Sequence, residues 1–260
     1  MIRGRVRTPD GAVLAIQQTG PADGPPLLLL PGQSNSHHWW DPLRGGLDDV
    51  FRTITFDYRG TGDTSAPEDP WSSASFADDA ATVLHALGHR GAGVYATSMG
   101  GRVAQMLAIN RPAMVGRLVL ACTSPGGPDA HERSTAIRRE LAEPDEKIRT
   151  AALMRLMYTP QWTGRAADST LLGDPSMTAR AAMLHLRISH EHDASRDLHR
   201  IIAPTLVLHG SDDELSLPAN ATYLASRIPG ATAEITPGRH GFFDEFSADV
   251  TPRVRSHLGA

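Results

Sequence analysis

Cysteine is nearly missing from these 260 residues. Cys122 stands alone, so no internal disulfide can form and a thiolate metal cluster is excluded. Lysine is as scarce: Lys147, the only one, lies in Asp145-Glu146-Lys147, a stretch that reads as solvated, and Schiff-base chemistry is discounted with it. No apolar run reaches the length of a bilayer span, Leu27 to Leu30 being far too short, and Met1-Ile2-Arg3-Gly4-Arg5 lacks the apolar stretch of a signal peptide. The expectation is a cytoplasmic protein with no membrane partner. A formal net charge of −4 gives no pull toward nucleic acid, which leaves a small molecule as the expected partner. The apolar fraction of 40% and charged fraction of 21% are ordinary for a globular chain, and the length suits one large domain or one domain carrying an insertion.

Short apolar runs alternate with helical segments. Strands are expected at Arg3 to Arg7 and Ala12 to Gln17 around the turn Pro9-Asp10-Gly11, then at Pro26 to Leu30, Phe51 to Phe56, Gly93 to Ala96, Gly116 to Ala121, Pro204 to His209 and Thr232 to Ile235. Helices are expected at Phe76 to Leu87, Met99 to Asn110, Ala219 to Ile228 and Ser247 to Leu258. This alternation predicts a doubly wound, mostly parallel α/β sheet of eight strands with helices on both faces. It stops between Ser124 and Arg200, where Met, Leu, Arg and His recur at helical spacing. Residues 125–200 therefore read as an inserted helical lid on a core made of 1–124 and 201–260, entered through the breaker cluster Ser124-Pro125-Gly126-Gly127-Pro128.

Ala96-Thr97-Ser98-Met99-Gly100 follows one of these strands and opens a helix. A serine on so sharp a turn needs small residues two before and two after it, so that strand and helix can approach. Serine is a poor nucleophile until a base takes its proton, and the base needs a carboxylate to hold its tautomer. In a parallel sheet those partners are sought where later strands end. One such strand runs into His209-Gly210-Ser211-Asp212-Asp213, the next into Gly238-Arg239-His240-Gly241. The order Ser98, acid, His240 follows, with Asp212 and Asp213 adjacent candidates for the acid and Glu214 a more distant third.

These segments together resemble the α/β-hydrolase superfamily over nearly the whole chain. Pro31-Gly32-Gln33 is similar to its oxyanion turn, Phe56-Asp57-Tyr58-Arg59-Gly60-Thr61-Gly62 to its D-x-R-G-x-G loop, His209 to Asp213 to its acid loop, and Gly238 to Phe242 to the segment bearing the base. Ser98 to Gln105 most resembles the lactonases, carboxylesterases and cofactor-free perhydrolases. Three departures stand out: Ala96 replaces the usual glycine, while Pro31 and Thr97 occupy positions where histidine is common. The resemblance selects Asp213 as the acid, three residues after the strand-end glycine. It implies an acyl-serine mechanism on a small carboxylic ester or lactone with Ser98, Asp213 and His240 catalytic, and with the backbone amides of Gln33 and Met99 forming the oxyanion hole. No cofactor and no metal are expected. Two alternatives remain: the same triad used for perhydrolysis, C–C or thioester hydrolysis in a biosynthetic pathway, or a non-catalytic ligand-binding protein on the same fold.

Trp39, Trp162 and Met157 are the candidate substrate contacts, and Met154, Met157, Met177 and Met183 suggest an adaptable apolar wall. Arg155 and Arg187 are candidates for engaging a substrate carboxylate. Asp57 and Arg59 read as structural ties between turns, His37 and His38 as solvated residues at a helix start, and Cys122 as a small buried apolar group. His185, His190 and His192 read as lying on an exposed helix.

Overall fold

The computed structural model describes residues 1–67 and 71–260. Its strands are β1 (Ile2–Arg7), β2 (Val13–Thr19), β3 (Pro26–Leu30), β4 (Arg52–Phe56), β5 (Ala92–Thr97), β6 (Val115–Ala121), β7 (Thr205–Gly210) and β8 (Thr232–Thr236). They form one sheet in the order β1-β2-β4-β3-β5-β6-β7-β8. The β1–β2 and β2–β4 pairs are antiparallel and the other neighbours parallel, so β3 to β8 all end on the same edge.

The two-residue period of a strand divides the apolar runs between two cores. Leu28, Leu30, Val94, Ala96, Leu118, Leu120 and Val207 face one core; Leu27, Leu29, Tyr95, Val119, Ala121, Leu206 and Leu208 face the other. The first face is covered by α2 (Ser73–Ala86), α3 (Met99–Asn110) and α7 (Ala219–Arg227), through Phe76, Val83, Val103, Leu107 and Leu224. The second receives Leu43 of the short α1 (Asp41–Arg44), Phe242 and Phe243 of α8 (Phe242–Glu245), and Val250, Val254 and Leu258 of α9 (Ser247–Leu258). Helix α2 starts three residues before the apolar periodicity does, because Ser72 and Ser75 form a reciprocal capping box.

Between β6 and β7 lie α4 (Thr135–Leu141), α5 (Glu146–Met157) and α6 (Ala179–Glu191), and no strand among the described residues. The two ends of this excursion are tied to each other. The Gly127 amide donates to the His192 carbonyl at 3.1 Å, and the Ala194 amide donates to the Pro125 carbonyl at 2.9 Å. Gly126 has φ 67°, and a Cβ there would lie 1.9 Å from the His192 carbonyl oxygen, so the crossing requires glycine. Beyond it, Ala194 and Leu198 already pack in the first core. No helix among the described residues is long and apolar enough to cross a membrane.

Candidate active site

Strand β5 delivers Ser98 to the common edge of the sheet, and α3 leaves from it at once. Ser98 takes φ 53°, ψ −120°, a costly conformation for a residue with a side chain, and one that persists only where the surroundings impose it. What imposes it is the approach of α3 to β3: a Cβ on Gly100 would sit 2.3 Å from the Leu30 carbonyl oxygen and 2.6 Å from that of Pro31. The position two before the serine tolerates one methyl, since Ala96 is fully buried in the first core.

The loops after β7 and β8 complete the arrangement. His240 Nε2 lies 3.0 Å from Ser98 Oγ, and His240 Nδ1 lies 2.8 Å from Asp213 Oδ2. With Nδ1–H donating to the carboxylate, the lone pair on Nε2 faces the hydroxyl, which is the tautomer a base needs. Asp213 is buried at 1% exposure, whereas the neighbouring Asp212 is exposed and receives the Ser211 hydroxyl. Asp213 Oδ1 accepts the amides of Leu215 at 2.8 Å and Ser216 at 3.0 Å. Burial by itself pushes this carboxyl up; the imidazoles of His240 and His209 outweigh it and hold the group well below the ordinary carboxylate range.

His209, absent from the sequence-based candidates, is fully buried with Nε2 at 3.2 Å from Asp213 Oδ2, and Nε2–H donates to the Ser216 carbonyl at 2.6 Å. It braces the acid loop from behind. Its position at the end of β7, four residues before the acid, was the available signal.

The Met99 amide begins α3, where the unsatisfied N–H groups of a helix start favour negative charge. Neither it nor the Gln33 amide is bonded to another protein group among the described residues. The turn carrying Gln33 is held from two sides. Asn35 Nδ2 donates to the Gln33 carbonyl at 2.7 Å while its Oδ1 accepts the Gly173 amide at 3.1 Å, and the Ser34 amide donates to His185 Nδ1 at 3.2 Å. His185 Nε2 donates in turn to the Arg59 carbonyl at 2.8 Å.

His185 and His192 are thus not exposed, as their spacing suggested. Helix α6 turns Ala181, Leu184, His185 and Ile188 inward, and only a view of what covers the helix could have told that face from the solvated one. Burial lowers His185 to about 4 and His192 to about 3. His37 departs from expectation in the same way: it is buried, and its ring and backbone amide bond Asp57 Oδ1 at 2.7 and 2.9 Å, while His38 remains exposed against Asp41. Asp57 and Arg59 tie turns together, with Arg59 spanning both oxygens of Asp79 at 2.7 Å and reaching Asp10 at 2.6 Å.

Ser98 and His240 open onto a cavity of about 340 Å³. Trp39 and Met157 line it; Trp162 does not, because its ring stacks on Tyr158 with centroids 3.9 Å apart. Apart from Met157, the expected methionine wall is leucine instead. Leu141, Leu153, Leu171, Leu172 and Leu186 face the cavity, while Met183 points to solvent and Met154 and Met177 pack against the two cores. Cys122, at φ 44°, closes the floor as a buried thiol that burial keeps protonated. Arg155 does not reach the cavity: it lies at the surface between Glu140 and Glu214, and Arg187 is not a lining residue either. The lining arginines are Arg102, Arg133 and Arg149. Of these, Arg102 had a sequence signal, since it follows Ser98 by one helical turn.

The profile of the alpha/beta hydrolase fold family matches residues 25–247. The chain belongs to this family. As an α/β-hydrolase it is 30% identical over 237 residues to a putative carbamate hydrolase, RutD, of Caulobacter sp. (strain K31), covering 86% of this chain and 87% of that one. Among solved structures, a hydrolase from Pseudomonas aeruginosa PA01 superposes with TM-score 0.87 at 29% identity, covering 99% of this chain and 98% of the other. The esterase RhEst1 from Rhodococcus sp. ECU1013 gives TM-score 0.86 at 25% identity, with 100% and 99% covered. The eight-stranded fold expected from the sequence is the fold of this family, and its members here are hydrolases.

Proposed function

We propose that this α/β-hydrolase cleaves a small carboxylic ester or lactone through an acyl-Ser98 intermediate. The observation that carries the reading is the unbroken chain from Ser98 Oγ through His240, at 3.0 Å, to Asp213, at 2.8 Å, opening on a partly closed and mostly apolar cavity. The likeness to the Rhodococcus esterase supports it.

In this mechanism His240 Nε2 takes the Ser98 proton as Oγ bonds to the carbonyl carbon. The carbonyl oxygen gains negative charge and is received by the Gln33 and Met99 amides, each such donor being worth roughly 3 kcal/mol of barrier. Collapse breaks the bond to the leaving oxygen, which takes the proton from His240; in a lactone that oxygen stays attached as the far end of the acyl chain. Water, deprotonated by the same imidazole, then frees the acid and restores Ser98. Asp213 remains ionised throughout and stabilises the imidazolium. Residues 125–200 act as the lid that sizes the acyl group, since nearly half of the cavity wall comes from them.

A fluorophosphonate probe tests the core of this. Labelling confined to Ser98, abolished in Ser98→Ala with the far-UV spectrum unchanged, is the expected result, together with turnover of 4-nitrophenyl esters or lactones. A folded protein in which Ser98 stays unlabelled refutes the reading.

A further inference from the structure

The cavity holding Ser98 and His240 is lined by three arginines and, among the described residues, by no aspartate or glutamate. They come from separate elements: Arg102 from the first turns of α3, Arg133 from the loop before α4, and Arg149 from α5. Elsewhere several arginines meet carboxylates, as Arg59 does Asp79, Arg155 Glu140 and Arg253 Glu234, while others, such as Arg44 and Arg52, donate to neutral oxygens. Within the cavity the arginines meet neutral oxygen only. Arg102 donates to the Ser189 carbonyl and to Ser124 Oγ at 3.0 Å, and Arg149 donates to the Glu143 carbonyl at 2.7 Å. Arg133 makes neither a hydrogen bond nor an ion pair among the described residues, although it is half-buried. Glu132 beside it is exposed and bonded to Arg138 at 2.7 Å.

Gathering like charges in a cavity that is partly closed to water is unfavourable unless an anion joins them. Burial, and after it the Arg133 charge, lowers Arg102 to about 10 against the opposing pull of Glu132, which leaves it a cation at neutral pH. Carbonyl and hydroxyl acceptors orient a guanidinium without neutralising it, so its attraction for an incoming carboxylate is retained. Glu132 and Asp213 act on Arg133 as nearby negative charges, but neither bonds it: Glu132 is exposed against Arg138, and Asp213 faces His240 and His209 and does not line the cavity.

Taking Ser98 as the nucleophile, we propose that the physiological substrate carries a carboxylate in addition to the bond that is cleaved, and that Arg102, Arg133 and Arg149 seat it. The class is the half-ester of a dicarboxylic acid or a lactone bearing a carboxylate.

The test compares 4-nitrophenyl hydrogen glutarate with 4-nitrophenyl pentanoate, whose acyl chains differ by carboxylate against methyl. The wild type is expected to favour the glutarate by at least about ten-fold in kcat/KM at low ionic strength, with the preference shrinking as NaCl is added. Arg133→Gln should reduce that preference about ten-fold, Arg133→Lys should restore part of it, and Arg253→Gln on the exposed face of α9 should leave it unchanged. A second arm needs no turnover: in Ser98→Ala, calorimetry should show monomethyl glutarate binding more tightly than methyl pentanoate, and the difference should vanish when Arg133→Gln is added. Equal kcat/KM for the two esters, or equal affinity of the two methyl esters for Ser98→Ala, overturns the proposal. Preferential binding of monomethyl glutarate with neither nitrophenyl ester turned over upholds the anion site and refutes the acyl-serine reading instead.

Discussion

His185 makes the stability of this protein depend on pH in a way that reaches the candidate oxyanion turn. Its Nε2–H donates to the Arg59 carbonyl and its Nδ1 accepts the Ser34 amide, so both ring nitrogens are committed and the neutral imidazole is the only form that satisfies them. In the unfolded chain the ring protonates near its ordinary 6.5, and burial lowers it to about 4 in the folded protein. Because the folded value is the lower, the stabilising contribution is complete above 6.5 and is lost as pH falls toward 4. Each pH unit in that window removes about 1.4 kcal/mol, so lowering the pH from 7.5 to 5 removes about 2 kcal/mol through this residue. That is a large share of the stability of a typical domain. Urea denaturation of wild type and His185→Gln at both pH values isolates the contribution, since a glutamine amide can also accept from one group and donate to another without titrating. The wild type should lose about 2 kcal/mol more than the variant on going to pH 5. Parallel losses in the two proteins would refute the argument.

Two further outcomes follow from the site. Asp213→Asn keeps the shape of the acid loop but removes the charge that holds His240 in its working tautomer, so kcat should fall by roughly 10⁴ in the folded variant, as stopped-flow or long-time-course assays with a 4-nitrophenyl ester would show. Gly100→Ala places a Cβ 2.3 Å from the Leu30 carbonyl oxygen, so the start of α3 must move and take the Met99 amide with it. The expected loss is about 10²-fold in kcat or more, with fluorophosphonate labelling of Ser98 slowed correspondingly.

Local rules sufficed wherever the information was local. The Ser98 turn was legible because so few residues permit a serine at φ 53° between Ala96 and Gly100, and the mostly parallel sheet followed from apolar runs short enough to be parallel and buried on both faces, whereas the order of its strands came from the structure. Asp213 was separable from Asp212 only through family spacing; geometry shows why, since one carboxylate points inward to two imidazoles and the other to solvent. The readings that failed all concern what covers a surface. His37, His185 and His192 looked solvated, and Trp162, Arg155, Met154, Met177 and Met183 looked like wall residues. Periodicity assigns a residue to a face of its own helix but carries no record of what another element lays against that face.

The sequence by itself determined the sheet, the edge where chemistry is concentrated and the three residues brought together there, because strand period, turn sterics and chain order leave few alternatives. Tertiary structure alone decided the cavity wall, in which arginines from α3, α5 and the loop before α4 converge without a carboxylate, and decided that a histidine of α6 pins the turn of Gln33. Those contacts join residues dozens to more than a hundred positions apart, and which of them meet depends on how the 125–200 excursion folds back over the sheet edge.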